Sequence, residues 1–287
     1  MRSTILALGL WLAVGAPARL RAQASPLGPA QTPRPDPPPI ADNSFLLEEA
    51  YNQEPGVVQH ISAFQRSLQT RAWGYSFTQE WPVVVQRHQL SYTLPVQRVA
   101  GRGAPSGIGD LAINYRYQAL GGEGTVAAAP RLSFVVPTGN EAKGLGSGGA
   151  GIQVNLPVSV VVARRLVTHW NAGFTRVPNA KNVLGYEAAT TAYNAGASAI
   201  WHVRPTFNVL LEVAWARDQE VSGPDQTVTG EALVVNPGIR WAHNFRNGLQ
   251  IVPGVAVPIG IGPSRGETAA FLYLSFEHSF KRGSPPP

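Results

Sequence analysis

The sequence predicts an all-β chain: a closed antiparallel transmembrane β-barrel of about twelve strands, preceded by a cleaved signal peptide and a proline-rich linker. Three observations predict it. Run after run alternates apolar with polar residues. Several runs reach the length a tilted strand needs to cross a hydrocarbon layer, longer than ordinary strands. The links between them alternate short with long, as outer-membrane barrels arrange periplasmic turns and outer loops. Composition agrees, because Lys, Glu and Met are scarce beside 30 Gly and 25 Pro, and only 14% of the 287 residues are charged.

The elements follow in order. Arg2 precedes an apolar stretch from Ile5 to Val14, and Ala22-Gln23-Ala24 is a small-x-small cleavage site, so residues 1–24 read as a signal peptide. An N-terminal membrane anchor is the alternative; the stretch is short for that, and Arg19 and Arg21 bound it. Residues 25–40 are dense in proline and read as a disordered, solvated spacer. Residues 41–56 form an N-terminal periplasmic segment, 57–280 the barrel and 281–287 a flexible tail.

Within the barrel the clearest alternation is LAINYRYQA, with Leu111, Ile113, Tyr115 and Tyr117 on one face and Ala112, Asn114, Arg116 and Gln118 on the other. Ile152, Val154, Leu156, Val158 and Val160 oppose Gln153, Asn155 and Ser159 in the same way, and Phe207, Val209, Leu211, Val213 and Trp215 alternate with Asn208, Leu210, Glu212 and Ala214. Candidate strands lie near 57–68, 72–84, 87–97, 109–120, 125–137, 150–163, 166–177, 190–203, 205–216, 226–241, 246–259 and 267–280. Short links are expected at Gln86, Gly121 to Gly124, Arg164 and Arg165, Arg204 and Asn244 to Arg246; long ones near 99–109, 138–149, 178–189, 217–226 and 260–266. The first link, near Gln69 to Arg71, breaks the rule by being short. Pro130, Pro157, Pro237 and Pro253 fall inside expected strands, where bulges are expected to absorb the missing donors. Phe276 and Phe280 on the last strand resemble a signal for the barrel-insertion machinery. The tryptophans at 73, 170, 201, 215 and 241 suit an interfacial girdle. A soluble periplasmic all-β protein is the competing fold.

The net charge of +6 comes from Arg scattered singly, so no stripe tracks a phosphate backbone and nucleic acid is not an expected partner. With no Cys there is no disulfide or thiolate site, and His60, His88, His202, His243 and His278 have no mutual ligand spacing. No cofactor or metal is expected. Hydrolase, zinc-protease and nucleotide motifs are missing, and His169 with Asn171 lacks an identifiable nucleophile, so no enzyme is expected. If the apolar faces meet lipid, the lumen is lined by Glu80, Asn114, Arg116, Arg131, Asn155, His169, Asn171, Glu212, Arg240 and Glu277. Both charge signs are present, so these groups either plug the barrel as ion pairs or line a wet path.

The segment ADNSFLLEEAYNQEPGVVQHI at 41–61, GIGDLAINYRYQ at 107–118 and PRLSFVVPTGN with GSGGAGIQVNLPVSVVV at 130–162 resemble the phenol meta-pathway (MetA) degradation family of outer-membrane proteins. The resemblance implies a barrel in the bacterial outer membrane that passes hydrophobic or aromatic compounds, with outer-membrane lipid around it. It brings no functional residues with it. Residues 44–54 pair an apolar cluster with Glu48, Glu49 and Glu54, which makes Glu48, Glu49 and Tyr51 candidates for a gate at the periplasmic mouth; a turn that seals the base is the alternative. The expected function is a passive channel, ahead of a plugged structural or surface-binding barrel.

Overall fold

The computed structural model describes residues 40, 43–121, 124–245 and 249–279. The expected signal peptide, most of the proline-rich spacer, Phe280 and the tail lie outside these described residues. Sixteen strands form one antiparallel sheet: β1 (Val57–Ser67), β2 (Trp73–Val83), β3 (Val85–Arg98), β4 (Ser106–Ile108), β5 (Leu111–Tyr117), β6 (Val126–Ala128), β7 (Arg131–Val136), β8 (Gly151–Ala163), β9 (Leu166–Lys181), β10 (Glu187–Arg204), β11 (Phe207–Gly223), β12 (Gln226–Trp241), β13 (His243–Asn244), β14 (Gln250–Ala256), β15 (Ile259–Gly260) and β16 (Ala269–Ser279). Twelve of them close a ring: β1, β2, β3, β5 and β7 to β12 follow one another, and β14 joins β12 to β16, which pairs with β1. The short β4, β6, β13 and β15 extend the rims.

Burial is inverted relative to a water-soluble protein. On β8 the apolar Ile152 and Leu156 are 51% and 47% exposed, whereas Gln153 and Asn155 between them are 2% and 3% exposed. Leu132, Phe134, Leu211, Leu272 and Leu274 likewise face outward, while Asn114, Ser133, Glu212 and Ser275 are buried. An aliphatic exterior over a polar interior is unfavourable in water and favourable in hydrocarbon. Closure also satisfies every strand edge, which a hydrocarbon solvent requires.

Two expectations need correction. Strands β9 to β11 run further than expected, so most of 178–189 and 217–226 is strand, not loop: Asn182 to Tyr186 link β9 to β10, and only two residues separate β11 from β12. Beyond the lipid both faces of a hairpin are wet, so side-chain polarity no longer separates strand from loop there. The prolines are accommodated without bulges at Pro157, Pro237 and Pro253, and Pro130 precedes β7 rather than lying in a strand. In an antiparallel strand a residue's N and O point to the same neighbour. The carbonyls of Pro157 and Pro237 accept from Ala129 and Val257, so each missing N–H faces a gap in the neighbouring strand, between β6 and β7 or between β14 and β15. Pro253 stands where the pairing of β14 with β12 stops.

Candidate functional site: a segment folded into the lumen

Residues 43–56 contain neither helix nor strand, yet nearly all of residues 43–53 are buried. They lie inside the barrel. The amide of Ile40 donates to the carbonyl of Pro205 at the short-turn end. From there the segment climbs to mid-height beside Ser198 and Glu212, crosses the lumen, and descends past Asn171, Ser159, Gln118 and Gln89 to β1. The stretch expected as an N-terminal periplasmic segment thus enters the barrel as an internal plug.

The wall holds the plug by side chains that bond its backbone. Glu212 Oε1 accepts from the amides of Phe45 and Leu46, both at 2.9 Å. Asn171 accepts from the Glu48 amide at 2.9 Å and donates to the Glu48 carbonyl at 2.6 Å. Ser159 Oγ accepts from Ala50, and Gln118 accepts from Asn52 while donating to the Ala50 carbonyl. Gln89 accepts from Gln53. Strand alternation explains how one chain supplies so many anchors, since every second residue of each strand points inward.

Ion pairs secure the apex. Arg131 grips Glu48 through two nitrogens, at 2.6 and 3.1 Å, and also donates to Asn114, Ser133 and Gln153. Asn155 donates to the same Glu48 carboxylate at 2.8 Å. Arg116 donates to Asn52 Oδ1 and the Tyr51 carbonyl, with the carboxylates of Glu49 and Glu80 at 3.9 and 3.8 Å. An unpaired charge at this depth would cost several kcal/mol, so removing one partner strands the other.

On the opposite wall the anchor is apolar. Phe45 packs on Phe271 and Tyr273 with ring centroids 5.3 and 5.2 Å apart, in a cluster with Ile61, Ile200, Leu210 and Val234. Gly238 and Gly254 face this ring so closely that a Cβ on either would collide with it. Leu47 occupies the corresponding space at Gly196.

The structure thus buries Glu80, Asn114, Arg116, Arg131, Asn155, His169, Asn171 and Glu212 inside the barrel, with Arg131, Asn155 and Asn171 on Glu48, Arg116 between Glu49 and Glu80, and Glu212 on Phe45 and Leu46. Arg240 is fully buried on the Phe45 side, in register with Asn208. Glu277 stands apart near the short-turn end, half-buried, accepting from Gln59. Tyr51 packs against Ala50, Ala127 and Ala129. Sequence reasoning missed Ser159, whose Oγ is 2.7 Å from His169 Nδ1. Both side chains are fully buried and the hydroxyl already accepts from Ala50, so in this state the pair is an anchor and no solute reaches it. Sequence reasoning also missed Phe45 and Leu47 as wall contacts. Inward-facing glycines in mid-strand, at Gly196, Gly238 and Gly254, were the available signal that something approaches the wall there.

Above the apex a cavity of about 80 Å³ remains. Leu46, Leu47, Ala214 and Val234 line one side; Arg131, Gln153, Asn155 and Asn194 line the other.

No family model matches the chain, and neither does any curated protein. Solved structures do. An outer-membrane channel from Pseudomonas putida F1 superimposes with a TM-score of 0.58 at 13% identity, over 80% of this chain and 98% of that one. The NanC porin superimposes with a TM-score of 0.51 at 7% identity, over 76% of this chain and 98% of that one. At such identities the likeness is one of fold, and the fold is that of outer-membrane β-barrels.

Proposed function

We propose that the chain is a passive channel of the bacterial outer membrane for small solutes, hydrophobic and aromatic ones among them, and that residues 43–56 are its movable plug. The observation that carries this reading is how the plug is held. It joins no strand of the barrel, so it can leave without opening the wall, and its anchors are side chains that water can replace once the lumen hydrates. The cavity above it, apolar on one side and amide-lined on the other, suits a planar ring bearing a polar substituent. In this reading a signal peptide at 1–24 exports the chain, the insertion machinery assembles it into lipid, and the proline-rich spacer keeps the plug's upstream end in the periplasm. A resting barrel with a permanent plug is the second reading, favoured by the density of buried bonds around Arg116 and Arg131.

Planar-bilayer conductance and liposome swelling with phenol or toluene separate the two readings, using the mature chain and a variant lacking residues 41–55. The channel reading expects brief, rare openings of the intact chain and steady conductance after deletion. Unchanged permeability in a deletion variant that keeps heat-dependent gel mobility rejects the gate.

A further inference from the structure

A basin of about 730 Å³ opens at the long-loop rim, between β1, β2 and β3 and their loops. Register sets Arg66 opposite Trp73, and Trp73 opposite Arg98. A guanidinium, an indole and a second guanidinium therefore stand in one cross-strand row. Alternation turns this row away from the lumen, because Ala63 and Ser67 of β1 and Ser76 of β2 are the buried, inward residues. The loops add Arg71 and Arg102. None of the four arginines forms an ion pair among the described residues, and Arg66, Arg71 and Arg102 are exposed.

The turn that presents Arg71 is built for it. Ser67 Oγ accepts from the Thr70 amide at 3.1 Å, Thr70 Oγ1 accepts from the Ala72 amide at 3.3 Å, and Arg71 itself sits at φ 62°. Glycine or asparagine would adopt that backbone with less strain, yet the position carries a guanidinium. Four uncompensated cations around one basin repel each other unless an anion lies between them. Below the row the same outer face becomes apolar and aromatic, with the Phe64 ring tilted 34° against that of Trp73 at a centroid distance of 6.0 Å, then Phe77 and Leu94.

We propose that this row binds the phosphate-bearing headgroup of an acylated glycolipid in the outer leaflet. The guanidinium forks take phosphate oxygens, Trp73 sits at the headgroup boundary, and the acyl chains lie along Phe64, Phe77 and Leu94. A soluble anion in transit fits less well, because the row is outside the wall and continuous with the lipid-facing surface. The proposal rests on the outer-membrane reading, with the long loops facing out of the cell. Its readout is separate: conductance reports the plug, whereas lipid retention reports the rim.

The test is native mass spectrometry of the mature chain in nonionic detergent with three probes: bisphosphorylated lipid A, the same lipid chemically dephosphorylated, and inorganic phosphate. The unaltered chain should retain the phosphorylated lipid at least about tenfold better than the dephosphorylated one, and an Arg66→Gln/Arg98→Gln variant should lose that preference. Equal retention of the two lipids overturns the proposal, and that comparison needs no variant to fold. Undiminished preference in a folded double variant overturns it as well. Inorganic phosphate holding the site as tightly as the lipid would assign the basin to a soluble anion instead.

Discussion

Replacing Glu48 by Ala should shift the barrel from plugged to open, and the structure sets the size of the shift. Glu48 meets Arg131 through two charge-assisted bonds and takes a third from Asn155, all nearly inaccessible to water. Arg131 keeps Asn114, Ser133 and Gln153 after the substitution, so the wall stays organised and the loss falls on the docked segment. Breaking a buried pair by removing one partner costs about 3–5 kcal/mol, roughly two to nearly four decades in the ratio of docked to undocked plug. Arg131→Ala should act in the same direction, because it leaves the Glu48 carboxylate buried without its cation. The double variant should be less open than the sum of the two effects predicts, since neither charge is then stranded. Open probability in planar bilayers measures the ratio directly. An E48A barrel that folds normally and opens no more often than the parent would refute the claim that this ion pair holds the plug.

The apolar anchor is tested from both sides: Phe45→Ala removes the ring and should weaken docking by about 3–5 kcal/mol, whereas Gly254→Val fills its seat and should cost about 1–3 kcal/mol. Both should raise open probability without changing the heat-dependent mobility of the barrel; a change in mobility alone would place Phe45 in barrel stability rather than in gating. Leu274, outward and at mid-strand on β16, should destabilise the folded barrel by about 2–4 kcal/mol when replaced by Arg, as followed by urea titration in lipid vesicles. A neutral result there would mean that this face does not meet hydrocarbon.

The period-two pattern at Ile152 to Val160 and Leu111 to Tyr117 was enough to predict the fold and about twelve strands, because in a barrel each strand carries its own record of which side is oil and which is water. That record fades above the membrane, where β9 to β12 continue as wet hairpins, and it says nothing of gaps in neighbouring strands, so the reason Pro157 and Pro237 are tolerated had to come from the pairing. The inward parity of Asn155, Glu212 and Arg131 was likewise legible along the chain. What those side chains hold was not.

Alternation is local, and one strand's residues report the two solvents on its own faces. Which inward residues come together depends on how far the sheet curls and what enters it, and only the tertiary structure brings Glu48 to Arg131 across 83 positions and Phe45 to Glu212 across 167. Alternation along the chain specifies a wall between oil and water. The closed ring decided that residues 43–56 fill it, because wall side chains from five strands, β3, β5, β8, β9 and β11, must be in place before that segment's backbone has partners to replace water.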